Sequence, residues 1–179
     1  MFFISDIYTS APSVYKTELQ EKTYRTLQDL QIPFERVDTD EAITMEDCVQ
    51  IDNKMGMRMV KTLFLCNRQQ TAFYLFITAG DKPFKSKEFS NALGISRVSF
   101  APSDLMENML GTKIGAATVF SALLDIDNAI QIVFDKDIIC EEWYGCSDGT
   151  TTGYMKIKTA QIIHEFLPFV KHTPFIVEV

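Results

Sequence analysis

The chain has 179 residues, 46% of them hydrophobic, with 24 acidic against 17 basic side chains and a formal charge of −7. That length and apolar content fit one globular domain and exclude a disordered chain. The acid excess argues against a protein that coats nucleic acid along its length, because phosphate neutralisation needs clustered lysine and arginine, but it leaves room for a local basic patch.

No run approaches the roughly 18 apolar residues of a membrane span. The opening MFFISDIYTSAPS lacks the basic and apolar regions of a secretory signal, so a cytoplasmic protein with reduced thiols is expected. Cys48, Cys66, Cys140 and Cys146 form no C-x-x-C pair, and only His164 and His172 could join them. No metal and no other cofactor is expected, and both histidines read as surface or packing residues. Serine-hydrolase elbow, P-loop and dinucleotide fingerprints are absent.

In chain order, residues 1–15 read as a loosely structured lead-in and 16–179 as the domain. Val14–Gln31 has helix formers with Tyr24, Leu27 and Leu30 at helical spacing, and Pro33 stops it. Phe34–Val37 reads as a short strand. Thr44 and Asp47 open a second helix that runs to about Lys54, with Gly56 ending it. Val60–Asn67 and Thr71–Thr78 are two apolar runs separated by Arg68-Gln-Gln70, a hairpin of central strands. Ser86–Leu93 is a helix closed by Gly94, Arg97–Phe100 a strand, and Pro102–Leu110 a helix closed by Gly111. Strands are expected at Ala129–Asp135, Ile138–Glu141 and Gly153–Lys158, then a helix over Thr159–Val170 and a strand over Pro174–Val179. Strands and helices do not alternate regularly. The class is therefore α+β, a single domain with a central mixed, largely antiparallel curved sheet flanked by helices.

Three features could carry chemistry. Lys61 sits in an apolar strand, where a lysine either faces water at a sheet edge or lies at the wall of a cleft. The Gly111–Thr118 loop has glycines four apart followed by two alanines. It is either a helix-ending turn or a loop whose amides approach a ligand closely. Tyr144–Gly153 is dense in small polar residues, a solvated connection or a donor of hydroxyls and amides. Cys146 has no histidine near it in sequence to activate it.

Taken together these residues resemble the YbaK/prolyl-tRNA-synthetase-associated domain family of aminoacyl-tRNA editing proteins, and its ProX-like branch most closely. Lys61-Thr-Leu-Phe-Leu65 is similar to that branch's K-N-L-F-L strand. Leu93-Gly-Ile-Ser-Arg-Val-Ser-Phe-Ala101 is similar to L-G-x-x-R-L-S-F-A. Leu110 to Phe120 is similar to L-G-x-x-P-G-x-V-T-P-F. Phe166-Leu-Pro, His172-Thr-Pro174 and Ile176-Val-Glu-Val179 resemble the closing helix and strand.

The resemblance implies hydrolysis of the ester between an amino acid and the tRNA terminal ribose, without a metal, and alanyl-tRNA with the proline anticodon as substrate. It implies Lys61 on the terminal adenosine, amides around Gly115 and Ala116 on the reacting carbonyl, and a pocket formed with Thr62, Gly111, Ile114, Thr118, Phe120, Gly145 and Thr150. The implied partners are a tRNA acceptor end and a synthetase, with no membrane and a monomer or weak homodimer. The chain departs from the family at Thr62 for Asn, at Ile114 for Pro, at Val119 for Pro, at Gly145-Cys146 for His-Pro and at Gly149 for Asn. The missing histidine and asparagine support an alternative, a catalytically degenerate relative that binds an amino acid, an aminoacyl-adenosine or a tRNA end as a regulator or synthetase partner. The cations expected near the tRNA end are Lys61, Lys82, Lys85, Lys87 and Arg97.

Overall fold

Eight strands in two sheets run through the computed structural model, which describes residues 1–179. Helix α1 (Glu18–Asp29) starts where Thr17 accepts from the Gln20 amide, and it buries Leu19, Tyr24 and Leu27. Strand β1 (Glu35–Asp38) follows. Helix α2 (Met45–Met55) begins with a full capping box between Thr44 and Asp47 and ends at Gly56 in the left-handed conformation. Strands β2 (Val60–Asn67) and β3 (Phe73–Ala79) form the expected antiparallel hairpin, in register Lys61 to Thr78. Helix α3 (Ser86–Leu93), β4 (Val98–Phe100) and a helical run over Ser103–Leu105 and Met106–Leu110 come next. The remaining elements are a short 3-10 helix (Val119–Leu123), β5 (Ile130–Asp135), α4 (Lys136–Ile139), β6 (Trp143–Ser147), β7 (Gly153–Lys158), a C-terminal helical run from Thr159 to Phe169 and β8 (Phe175–Val177).

The larger sheet has the order β4-β2-β3-β5-β8, with β5 parallel to both β3 and β8; the smaller is the antiparallel set β1-β7-β6. Both faces of the larger sheet are covered, which explains its near-continuous apolar strands. Phe64, Cys66, Leu75, Ile77, Ile132 and Phe134 point into the main core with α1 and the C-terminal helical run. Their alternates Leu65, Phe76 and Val133 pack with Phe89 of α3 on the other face. A third cluster of Val37, Ile51, Met55, Met57 and Tyr154 seats α2 on the smaller sheet.

Three expectations are corrected. Residues 138–141 are not a strand: the Asp135 carboxylate accepts from the Asp137 amide and starts helix α4. The Tyr144–Gly153 stretch is not a solvated loop. Its first part is strand β6, with Tyr144 and Cys146 buried in the main core. The lead-in is tied to β1, since Tyr8 and Arg36 exchange backbone hydrogen bonds of 2.8 Å and the Arg36 Nε donates to the Ser10 carbonyl at 2.6 Å.

Candidate functional site

Strand β2 is paired along its whole length by β3, but on its other edge β4 reaches only Leu65 to Asn67. At the opposite end, a single parallel bridge joins Met59 to Gly145 of β6. The Phe64 carbonyl still accepts from the Ala101 amide at 2.9 Å, so the open edge runs from Val60 to Leu63, and a cavity of about 640 Å³ lies along it. Consecutive residues Arg58 to Phe64 line it because a strand edge, not a strand face, forms its floor.

The other walls come from four directions. Helix α2 contributes Met45, Cys48, Val49 and Asp52, one face at i, i+3, i+4 and i+7. Phe100, Ala101 and Met106 close the β4 side, Ser147 and Tyr154 the small-sheet side, and Ile114, Gly115 and Ala117 the loop side. Met45, Val49, Phe100 and Ile114 are exposed large apolar residues that rim the mouth.

The cavity brings together Lys61, Thr62, Ile114 and Gly115 of the ten expected site residues. Lys61 is half-buried, and its Nζ donates to the carbonyl of Lys82 in the turn after β3. Lys82 in turn is fixed by the buried Asp135 at 2.8 Å and by Asp137 at 3.1 Å. Gly115 has φ +88°, where a side chain would be strained. The amides of Gly115 and Ala117 make no backbone hydrogen bond.

The other six lie behind the cavity wall. Ala116 is buried, and its amide already donates to the Lys113 carbonyl at 3.1 Å, whereas the amides of its two neighbours are free. Gly111 is the left-handed end of the preceding helical run, where a Cβ would come within 2.5 Å of Leu124. The Thr118 hydroxyl donates to the Ser147 carbonyl at 2.8 Å and so holds the loop to β6. Phe120 is in the core with its ring 5.1 Å from that of Phe166. Thr150 donates to the buried Asp148 carboxylate at 2.7 Å.

Gly145 is covered by Met57, whose Sδ would lie 2.6 Å from a Cβ at that position. Gly145 and Ser147 share one face of β6. The histidine that the family places at residue 145 would therefore project on the cavity side, and here a thioether fills that space. Gly145→His alone is expected to lower the melting temperature by several degrees, through overpacking that costs about 1–3 kcal/mol. Adding Met57→Ala should recover at least half of that loss. Equal melting of the single variant and the parent would contradict the packing account.

Sequence reasoning missed the α2 wall, and with it Asp52. Its Oδ1 accepts from the Met59 amide at 2.9 Å, and burial pushes its carboxyl up from 3.8 to about 6. A carboxyl whose folded pKa is raised stabilises the fold when protonated. That contribution is complete below about pH 4 and is lost as pH rises through about 6. Asp52→Asn is thus expected to stabilise the protein at pH 7.5 by about 1 kcal/mol, after discounting for its half-exposed position, and by much less at pH 4.5. Thermal melts of both proteins at the two pH values check this; the same difference at both would contradict it.

Burial drives the thiol of Cys146 well above its usual range, so it is no nucleophile at neutral pH. No three His, Cys, Asp or Glu side chains converge as metal ligands, and no helix is long and apolar enough to cross a membrane. His172 is buried, with Nε2 2.8 Å from Asp125 Oδ2 and Nδ1 2.7 Å from the Val170 carbonyl. It joins the segment before β8 to the start of β5, and neither it nor Asp125 lines the cavity.

Residues 39–164, which include every residue lining the cavity, match the family described as the aminoacyl-tRNA editing domain. Among curated proteins, the prolyl-tRNA editing protein ProX of Acetoanaerobium sticklandii is 28% identical over 113 residues, 63% of this chain and 69% of the relative. Two crystal structures share the fold. One, of a candidate trans-editing enzyme for prolyl-tRNA synthetase, has TM-score 0.64 at 12% identity, covering 92% of this chain and 99% of the other. The second, of a hypothetical protein, has TM-score 0.64 at 13% identity, covering 88% and 98%.

Proposed function

Because the chain belongs to the aminoacyl-tRNA editing domain family, we propose that it acts in trans to hydrolyse the ester of a mischarged tRNA, with alanyl-tRNA carrying the proline anticodon as its substrate. The observation that carries this reading is the cavity on the open edge of β2, lined by Lys61 and by Gly115 and Ala117, whose amides make no backbone hydrogen bond. A strand edge and a glycine turn supply fixed backbone donors, which suit an ester whose cleavage needs positioning and oxyanion stabilisation more than a nucleophilic side chain.

In this reading the terminal ribose and phosphate approach Lys61, and the ester carbonyl lies toward Gly115 and Ala117. Water adds to the carbonyl carbon, and the carbonyl electron pair moves to its oxygen, where the two amides hold it. The carbon–oxygen bond to ribose then breaks, and a proton from the attacking water ends on the ribose hydroxyl. The amino acid and an intact tRNA are released.

A second reading, binding without turnover, is favoured by Met57 over Gly145, because the family's histidine has no room there. A deacylation assay over several mischarged tRNAs separates the two. Release of alanine supports the first reading. Ligand-induced stabilisation with no release from any substrate supports the second.

A further inference from the structure

Fourteen of the 22 residues lining the cavity are hydrophobic, so a charge there loses much of its hydration and needs a partner. Four lining residues are charged: Asp52, Arg58, Lys61 and Asp81. Arg58 is engaged by Asp81 at 3.3 Å and by Glu141 at 3.0 Å, which also accounts for Asp81. Lys61 is engaged by the Lys82 carbonyl. Asp52 is different. Its Oδ1 takes the Met59 amide, and its Oδ2 has neither a hydrogen bond nor an ion pair within the chain. The side chain stands on the α2 stripe that faces the β2 edge, with Cys48 one turn earlier, Arg58 in the following loop, Lys61 on β2, Asp81 after β3 and Tyr154 on β7 around the same space.

An aminoacyl ester carries an α-ammonium one carbon from the reacting carbonyl. We propose that Asp52 Oδ2 accepts that ammonium, so that the cavity selects esters of amino acids with a free amine and discriminates against N-acylated ones, including peptidyl esters. This rests on the deacylase reading of the cavity and extends it to a residue and a substrate class. Two further features agree with it. The Met59 amide holds one carboxylate oxygen of Asp52, and the other is left without a hydrogen-bond partner in the chain. Burial raises its pKa more than the Met59 amide and the nearby Arg58 charge lower it, so the carboxylate is only partly compensated and a cationic ligand would relieve it further.

The test uses two non-hydrolysable probes, 3′-alanylamino-adenosine and its propionyl counterpart, which differ only in the amine. Titration of the intact protein at pH 7 is expected to give the amine-bearing probe about tenfold tighter binding, the size of one charge-assisted hydrogen bond. Asp52→Asn keeps the acceptor for the Met59 amide, and it should bind both probes at the weaker level. Equal affinities in the parent protein overturn the proposal while leaving the deacylase reading intact, and this arm needs no variant. Retention of the preference by Asp52→Asn also overturns it. Failure of the parent protein to bind either probe removes the deacylase reading of the cavity, and the proposal with it.

Discussion

Replacing Lys61 by alanine is expected to reduce deacylation by about 100-fold or more while the protein stays folded. Truncating one partner of a desolvated charge pair between protein and ligand typically costs about 2–5 kcal/mol, and about 3 kcal/mol is 100-fold or more in kcat/KM. The structural cost is small by comparison. Lys61 is half-buried, and the bond it loses is to the carbonyl of Lys82. That carbonyl sits in a turn at the cavity edge, where water can replace the ammonium at a net cost of about 1 kcal/mol. Arginine should not restore activity, because a planar guanidinium cannot take the place of an ammonium held at one carbonyl. The check is kcat/KM on alanyl-tRNA beside a thermal melt of the same preparation. Wild-type turnover by the alanine variant would separate Lys61 from the reaction.

The largest effect on stability is expected from Asp148→Ala. This carboxylate is buried and accepts four bonds: from Gln20 Nε2 at 2.9 Å, the Tyr24 hydroxyl at 2.9 Å, the Thr150 hydroxyl at 2.7 Å and the Thr150 amide at 3.2 Å. It therefore ties α1 to the turn between β6 and β7. Gly153 has no room for a side chain because a Cβ would fall 2.3 Å from Asp148 Oδ2, so the turn is built around this group. Removing it leaves the Tyr24 hydroxyl and the Gln20 amide buried without partners. The expected loss is about 3–5 kcal/mol in equilibrium denaturation, with Asp148→Asn intermediate because it keeps one acceptor oxygen. A loss below about 1 kcal/mol would show that the turn is not anchored in this way.

The same residue explains why part of the chain was hard to read. From Tyr144 to Gly153 the composition is that of a loop, because Gly145, Ser147, Gly149 and Thr150–Thr152 are all turn formers. The alternation of Tyr144 and Cys146 is too brief to signal a strand. What keeps the segment inside is a carboxylate whose partners stand on α1, more than 100 residues earlier, and no local pattern reveals that. Where the determinants are local, the elements were legible. The bounds of β2 and α3 and the Thr44–Asp47 capping box of α2 agree with expectation, because strand hydrophobicity, capping and glycine stops act over a few residues.

The candidate site divides along the same line. Lys61 stands out because a charge inside an apolar strand is a local anomaly, and the Gly115 turn because glycine marks a positive φ. The roof was not legible, although the spacing of Met45, Cys48, Val49 and Asp52 reads plainly as a helix face. Which partner that face meets is decided by the gap between two sheets, and that gap exists only because β4 stops at Leu65. The offset of the free amides to Gly115 and Ala117 also depends on the turn that consumes the Ala116 amide.

The central claim is that the cavity on the β2 edge hydrolyses an aminoacyl ester. Incubation of the purified protein with a panel of mischarged tRNAs tests it most directly, following release of labelled amino acid beside the Lys61→Ala variant. The expected result is release of alanine from alanyl-tRNA carrying the proline anticodon, absent with the variant. No release from any member of the panel, or release that the variant matches, would contradict it.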